Sequence, residues 1–387
     1  LLVFTFIIKA LMGLSLPKLN WKQPIVFLIL LELSWILISS LNSELLGVSL
    51  KRVALKTLFV VGFFVMFSIL KKQKKEQLFA LFGFGLVIPI VLISLMHARY
   101  GFSQNTSFSI AKPFFYDHTQ YGAIVAFVIP FFFLNLKKEN GGINIWYLIV
   151  TLLLLFAVIT SYSRGAWISL IAAFLLYLLL KVKIRFSVLL TIVVTGLVVL
   201  SFNFSAIYDD LRKTEVKYAD DVSQHLTSVT NLQNDASNLE RINRWVCAYR
   251  MFEAKPITGY GPGTYQFFYD LYQTPEYMTR ISTHEGNKGN AHSEFFNALS
   301  EQGLIGGLIN VVMMIYMIFL GMKTYYLKND SKSKKLILAA LLGLVTFYVH
   351  GLFNTFSDIA EMALLIYGSM SIIIFSAIRP DALNKQT

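Results

Sequence analysis

Apolar runs of roughly 16–20 residues recur along the whole 387-residue chain, and nothing else in it constrains the fold so tightly. A soluble core does not need so many continuous runs. A helix of about 20 apolar residues matches the hydrocarbon thickness of a bilayer. The runs fall near 1–16, 24–41, 53–70, 78–95, 119–136, 143–160, 165–180, 186–202, 303–321, 336–353 and 361–378. That predicts eleven spans in an all-α polytopic membrane protein. The short alternating segments of a transmembrane barrel are not seen. Composition agrees, with 56% hydrophobic and 14% charged residues.

The net charge of +12 does not require a nucleic acid, and none is expected as a partner. Lysines collect in cytoplasmic loops of membrane proteins. Lys18 and Lys22, Lys71, Lys72, Lys74 and Lys75, Lys137 and Lys138, Lys181, Lys183 and Arg185, and the lysines from 323 to 335 all fall on one side once spans are counted. That side is predicted to be cytoplasmic, with the C-terminus. The chain opens LLVFTF without methionine, so one further span upstream is expected, giving twelve. Cys247 is the single cysteine and excludes an intrachain disulfide. Three regions follow: a bundle over 1–202, an outer loop subdomain over 203–302, and three spans with a tail over 303–387.

The candidate chemistry lies on the outer side. Arg164, in ITSYSRGAWISL, sits in a hairpin so tight that its guanidinium must lie at or just below the membrane surface. Ionisable groups at that depth are costly and tend to be functional. A planar guanidinium suits phosphate; the competing role is an interfacial anchor beside Trp167. Arg241 and Arg244, in LERINRWVCAYRMF, share a face if the segment is helical. They either clamp a diphosphate or form a solvated basic face.

In GNAHSEFFNALSEQGLIGGL, Asn290 is placed to cap a helix beginning at Ala291. His292 would then occupy the first turn, where the helix dipole keeps an imidazole neutral and able to act as a base. A satisfied interfacial histidine is the alternative. Glu294 belongs to a polar stripe on the same helix. Lys51, Arg52, Arg99 and Lys112 are also basic residues outside. They either snorkel to the interface or ring an anionic headgroup. His118 and His350 lie near outer span ends and, alone, read as structural. The pairs Asp209–Asp210 and Asp220–Asp221 read as solvated loop. PITGYGPGTYQFFYD reads as a tight, fixed turn. No metal-ligand spacing is present.

The ordered set SRGAW, R-x-x-R-W, PITGYGPGTY and AHSEFFNALSEQGLIGGL resembles the O-antigen ligase and O-antigen polymerase superfamily. The resemblance covers the chain from about Arg99 to the C-terminus. It implies a bacterial inner-membrane glycosyltransferase of about twelve spans that needs no metal or other cofactor. Such an enzyme passes a glycan from undecaprenyl pyrophosphate to an acceptor on the periplasmic face: lipid A–core, another glycan or a protein. Arg164, Arg241 and His292 match the family's catalytic positions, with Arg244 as a neighbouring match. Arg244, Arg99 and Glu294 are assigned to substrate binding. A polymerase joining repeat units shares this chemistry. A transporter of an anionic solute or lipid is the alternative of another class.

Overall fold

A computed structural model describes residues 23–138, 141–203, 225–279, 282 and 289–377, with the backbone only for 225–236. The predicted span at 1–16, Lys18, Lys22, both aspartate pairs and much of the segment 280–288 lie outside the described residues.

The described chain is helical. In order, α1 is Pro24–Leu41, α2 Leu46–Ile69, α3 Lys72–Ala98, α4 Gln104–Ile110, α5 His118–Leu134, α6 Ile145–Thr160, α7 Arg164–Lys181 and α8 Phe186–Phe202. Then come α9 His225–Ala254, α10 Tyr265–Phe268 with a 3-10 turn Tyr269–Tyr272, α11 Glu294–Leu327, α12 Ser331–His350 and α13 Ala360–Ala377. Seven of these (α1, α2, α3, α7, α11, α12 and α13) are long and apolar enough to cross a membrane. The shorter apolar helices α5, α6 and α8 coincide with three further predicted spans. The chain is an all-α, multi-pass membrane protein.

Local signals explain several boundaries. Pro24 opens α1, where its missing N–H costs nothing. The Asp117 carboxylate accepts from Thr119 N and Gln120 N, both at 2.8 Å, and starts α5. Asp330 does the same for α12. α5 is buried continuously from Gln120 to Phe132, and α12 from Leu336 to Phe347. Helices apolar all round belong in a bundle's middle. α8, equally apolar, buries none of its residues and faces outward.

The basic loops do meet at one end of the bundle. Lys72 Nζ pairs with Asp330 at 2.8 Å, and Lys335 Nζ donates to the Lys137 carbonyl at 3.0 Å. Lys75 departs from the expectation of a loop lysine. It sits in α3, buried, with Nζ 3.4 Å from Ser371 Oγ and over the Phe375 ring. Its four-carbon stem lets a loop-side residue turn inward. Arg52 pairs with Asp358 at 2.8 Å. Below it, Lys56 pairs with Glu32 at 2.9 Å inside the helix bundle.

Over the opposite end lies the outer layer, with a small core of its own built on Cys247, Met251, Tyr265 and Tyr269. Trp245 of α9 stacks on Phe296 of α11 at 5.6 Å. The PITGYGPGTY turn docks on a break in α11. There Gly303 (φ 67°, ψ −167°) interrupts the helix, and Leu304 N donates to the Pro256 carbonyl at 2.8 Å. A Cβ on Gly303 would lie 2.1 Å from the Ile257 carbonyl oxygen. Glu301 completes the joint: its two carboxylate oxygens accept from Gly263 N (2.8 Å) and Tyr265 N (3.0 Å). Two motifs separate in the chain are the two halves of this joint.

Candidate active site

The turn joining α6 to α7 is three residues long, and its middle residue, Tyr162, adopts φ 51°. A non-glycine residue in that region marks strain held in place by its surroundings. Here Tyr162 Oη donates to the Phe102 carbonyl at 2.8 Å, and Trp167 Nε1 donates to Val158 at 2.8 Å. Gly165 leaves room for the His350 ring, which a Cβ would meet at 2.5 Å. The turn therefore projects Arg164 from the start of α7 into a cavity of about 210 Å³.

Arg241 reaches the same cavity from α9. The two guanidinium groups share one acceptor, Asn238 Oδ1, at 3.2 Å from Arg164 and 3.3 Å from Arg241. Arg241 also donates to Ser237 Oγ (3.0 Å) and to the Phe353 carbonyl (3.3 Å). Burial, and then the neighbouring Arg164 charge, lower its pKa to about 10. No described carboxylate lines the cavity. Two guanidinium groups converging on one cavity can together meet an anion.

His292 stands one hydrogen bond behind the cavity wall. Its Nδ1 lies 3.3 Å from Oδ1 of Asn354, a lining residue. An amide oxygen can only accept, so Nδ1 carries the proton and Nε2 keeps its lone pair. Asn354 Nδ2 in turn lies 3.5 Å from His350 Nε2, which is 3.4 Å from Ser163 Oγ. A polar chain thus runs from His292 to the residue beside Arg164. Burial, then Arg244 and Arg241, lower the His292 pKa to about 3, against the hydrogen bond that Nδ1 donates to Asn354.

Two expectations about His292 change. The helix begins at Glu294 with Ser293 as its cap, and His292 lies before it with φ 48°. Asn290 does accept from His292 N, at 2.9 Å, but it closes a turn and caps no helix. The imidazole is kept neutral by burial and nearby cations, not by a helix dipole.

The remaining sequence candidates go elsewhere. Arg244 is on the same helix as Arg241 but buried, with Nε 2.9 Å from Glu240 and its guanidinium over the Tyr269 ring. It also donates to the Asn290 carbonyl at 3.2 Å, so it supports the His292 turn and does not line the cavity. The Glu294 carboxylate accepts from Phe356 N (2.6 Å), Ser357 N (2.8 Å) and Ser357 Oγ (2.8 Å), pinning the α12–α13 loop that carries Asn354. Arg99 is exposed at the end of α3 and does not line the cavity either.

Asn238, Asn354 and His118 were not singled out from sequence as site residues. His118 lines the cavity with its Nδ1 buried and unbonded, its ring edge-on to Phe108 at 4.6 Å. Among the described residues no group of three or more His, Cys, Asp or Glu could hold a metal ion.

Fold and site together define a multi-pass helical membrane protein with a two-arginine anion cavity under a helical outer layer. Residues 149–311 match the family model described as O-antigen ligase, a match that supports the resemblance to the O-antigen ligase/polymerase superfamily over that stretch. The match takes in Arg164, Arg241 and His292, while Asn354 and His118 lie outside it. No curated protein matches the chain. The family implies a membrane glycosyltransferase-like enzyme that works on a lipid-linked glycan and an acceptor.

Proposed function

We propose that the protein is an inverting glycosyltransferase of the O-antigen ligase type. It takes a glycan from undecaprenyl pyrophosphate at the periplasmic face of a bacterial inner membrane and passes it to an acceptor such as lipid A–core. The observation that carries this is the convergence of Arg164 and Arg241 on one cavity. A diphosphate is the ligand whose charge and length answer two guanidinium forks.

In this scheme an acceptor hydroxyl oxygen forms the new bond to the anomeric carbon. The bond from that carbon to the phosphate oxygen breaks, and its electron pair leaves with undecaprenyl pyrophosphate. Attack from the opposite face inverts the anomeric centre. Arg164 and Arg241 stabilise the charge that grows on the departing diphosphate. His292 receives the hydroxyl proton on Nε2, with Asn354 holding the ring. Of the two cations that add to burial in depressing its basicity, Arg241 lines the cavity and would be neutralised by a bound diphosphate, so donor binding raises the His292 pKa. The transferred energy resides in the sugar–pyrophosphate bond, so no nucleotide takes part.

Incubating purified protein with lipid-linked donor and acceptor tests this directly. Release of undecaprenyl pyrophosphate is the expected result. Transport of the donor with no release would favour the transporter. In a deletion strain, loss of all attached chains indicates a ligase, and a single attached repeat indicates a polymerase.

A further inference from the structure

A second concave site lies at the far end of the bundle. α7 runs from Arg164 at the arginine cavity to Lys181, about 26 Å away at 1.5 Å per residue. There the α7–α8 turn faces the α11–α12 turn across a groove of about 710 Å³. Lys181, Lys183, Arg185, Lys323 and Lys334 line it, and no carboxylate does among the described residues. None of the five is in an ion pair among the described residues. Elsewhere at this end a lysine does find a carboxylate, as Lys72 finds Asp330 at 2.8 Å.

The groove is built. Tyr326 Oη donates to the Ile184 carbonyl at 3.0 Å, and Phe186 meets Phe319 edge-on at 5.4 Å, tying the two turns together. Lys323 lies over Phe319 and Lys334 over Tyr325, each at 5.8 Å, so aromatic rings hold the cations along the wall. From this root α8 continues with no buried residue, so the groove opens onto an apolar, lipid-facing helix.

We propose that this groove binds the headgroup of an anionic phospholipid, with its acyl chains lying along α8. The phosphate meets the cations of both turns, and the chains meet the outward face of α8. A preference for basic residues in loops on one side would account for the sign of the charge. It would not account for five cations sharing one concavity with an apolar exit, which is the geometry of a headgroup site.

The test uses the full chain, purified in detergent and supplied with equal phosphatidylglycerol and phosphatidylcholine. Native mass spectrometry then reads the lipids retained. The wild-type protein is expected to keep phosphatidylglycerol selectively. The triple variant Lys183→Gln, Arg185→Gln, Lys323→Gln should lose that retention by about a hundredfold, as three interfacial cations imply. A control with equal charge loss, Lys71→Gln, Lys74→Gln, Lys138→Gln, should keep it. Equal loss in both triples would overturn the site in favour of diffuse attraction, and equal retention of the two lipids by wild type would overturn it outright. Should the first triple not fold, a photoactivatable phosphatidylglycerol on the wild-type protein decides. Crosslinks at 181–186 and 319–334 are expected, and crosslinks confined to other peptides would refute the proposal.

Discussion

The arginine cavity and the glycine joint lie in the same outer layer and treat charge in opposite ways. At the joint, the Glu301 carboxylate is met by Gly263 N, Tyr265 N and the Asn297 amide, and Gly303 admits no side chain. In the cavity, Arg164 and Arg241 share the neutral Asn238 amide oxygen, and among the described residues Arg241 otherwise donates to hydroxyl and carbonyl oxygens. A neutral oxygen stabilises a cation less than an ion does. The joint holds position, and the cavity brings two cations to one opening.

Substitution should separate the two. The largest effect is expected in the cavity: Arg164→Ala and Arg241→Ala should each lower glycan transfer about a thousandfold, with the thermal melt nearly unchanged. His292→Ala should do the same if it is the base. His118→Ala, touching the cavity directly, is the sharper comparison. Transfer lost with His118→Ala but kept with His292→Ala would move the proton-accepting role between them.

At the joint the pattern should reverse. Gly303→Ala puts a Cβ against the Ile257 carbonyl in a conformation open essentially to glycine alone. A loss of about 3 kcal/mol or more in stability is expected, seen as a lower melting temperature in detergent. A normal melt would show that the joint yields.

Asn354→Ala lies between the regions. It removes the acceptor that orients His292, and transfer should fall about ten- to a hundredfold with donor binding intact. The last comparison concerns pH. The His292 pKa falls from its ordinary 6.5 to about 3 in the folded protein. Below 6.5 the unfolded chain takes up a proton that the folded chain refuses, so stability drops as pH falls from about 6.5 toward 3 and is untouched above. His292→Gln should make that part of the melt-versus-pH curve shallower, and an unaltered curve would show that the ring is not held neutral.

Much of this was legible in the chain. Long apolar runs locate the spans because a bilayer permits little else. Arg164 was legible because the SYSRG turn leaves its side chain no depth to hide in. The fates of Arg241 and Arg244 were not, although Glu240, four residues before Arg244, was the available signal for an internal pair. Asn354 was invisible: GLFNTF has no pattern, and its role depends on a loop that Glu294 pins from 62 residues away. The start of α11 was misjudged because Asn290 and Ser293 are both able to cap, and only tertiary contact chose Ser293, through Glu294 N and the Gly351 carbonyl at 2.8 Å.

Binding of undecaprenyl pyrophosphate to a His292→Ala background, with and without Arg164→Ala and Arg241→Ala, isolates the diphosphate site from turnover. Affinity should fall at least about a hundredfold when both arginines are removed. Equal affinity with and without them would contradict the assignment of the cavity.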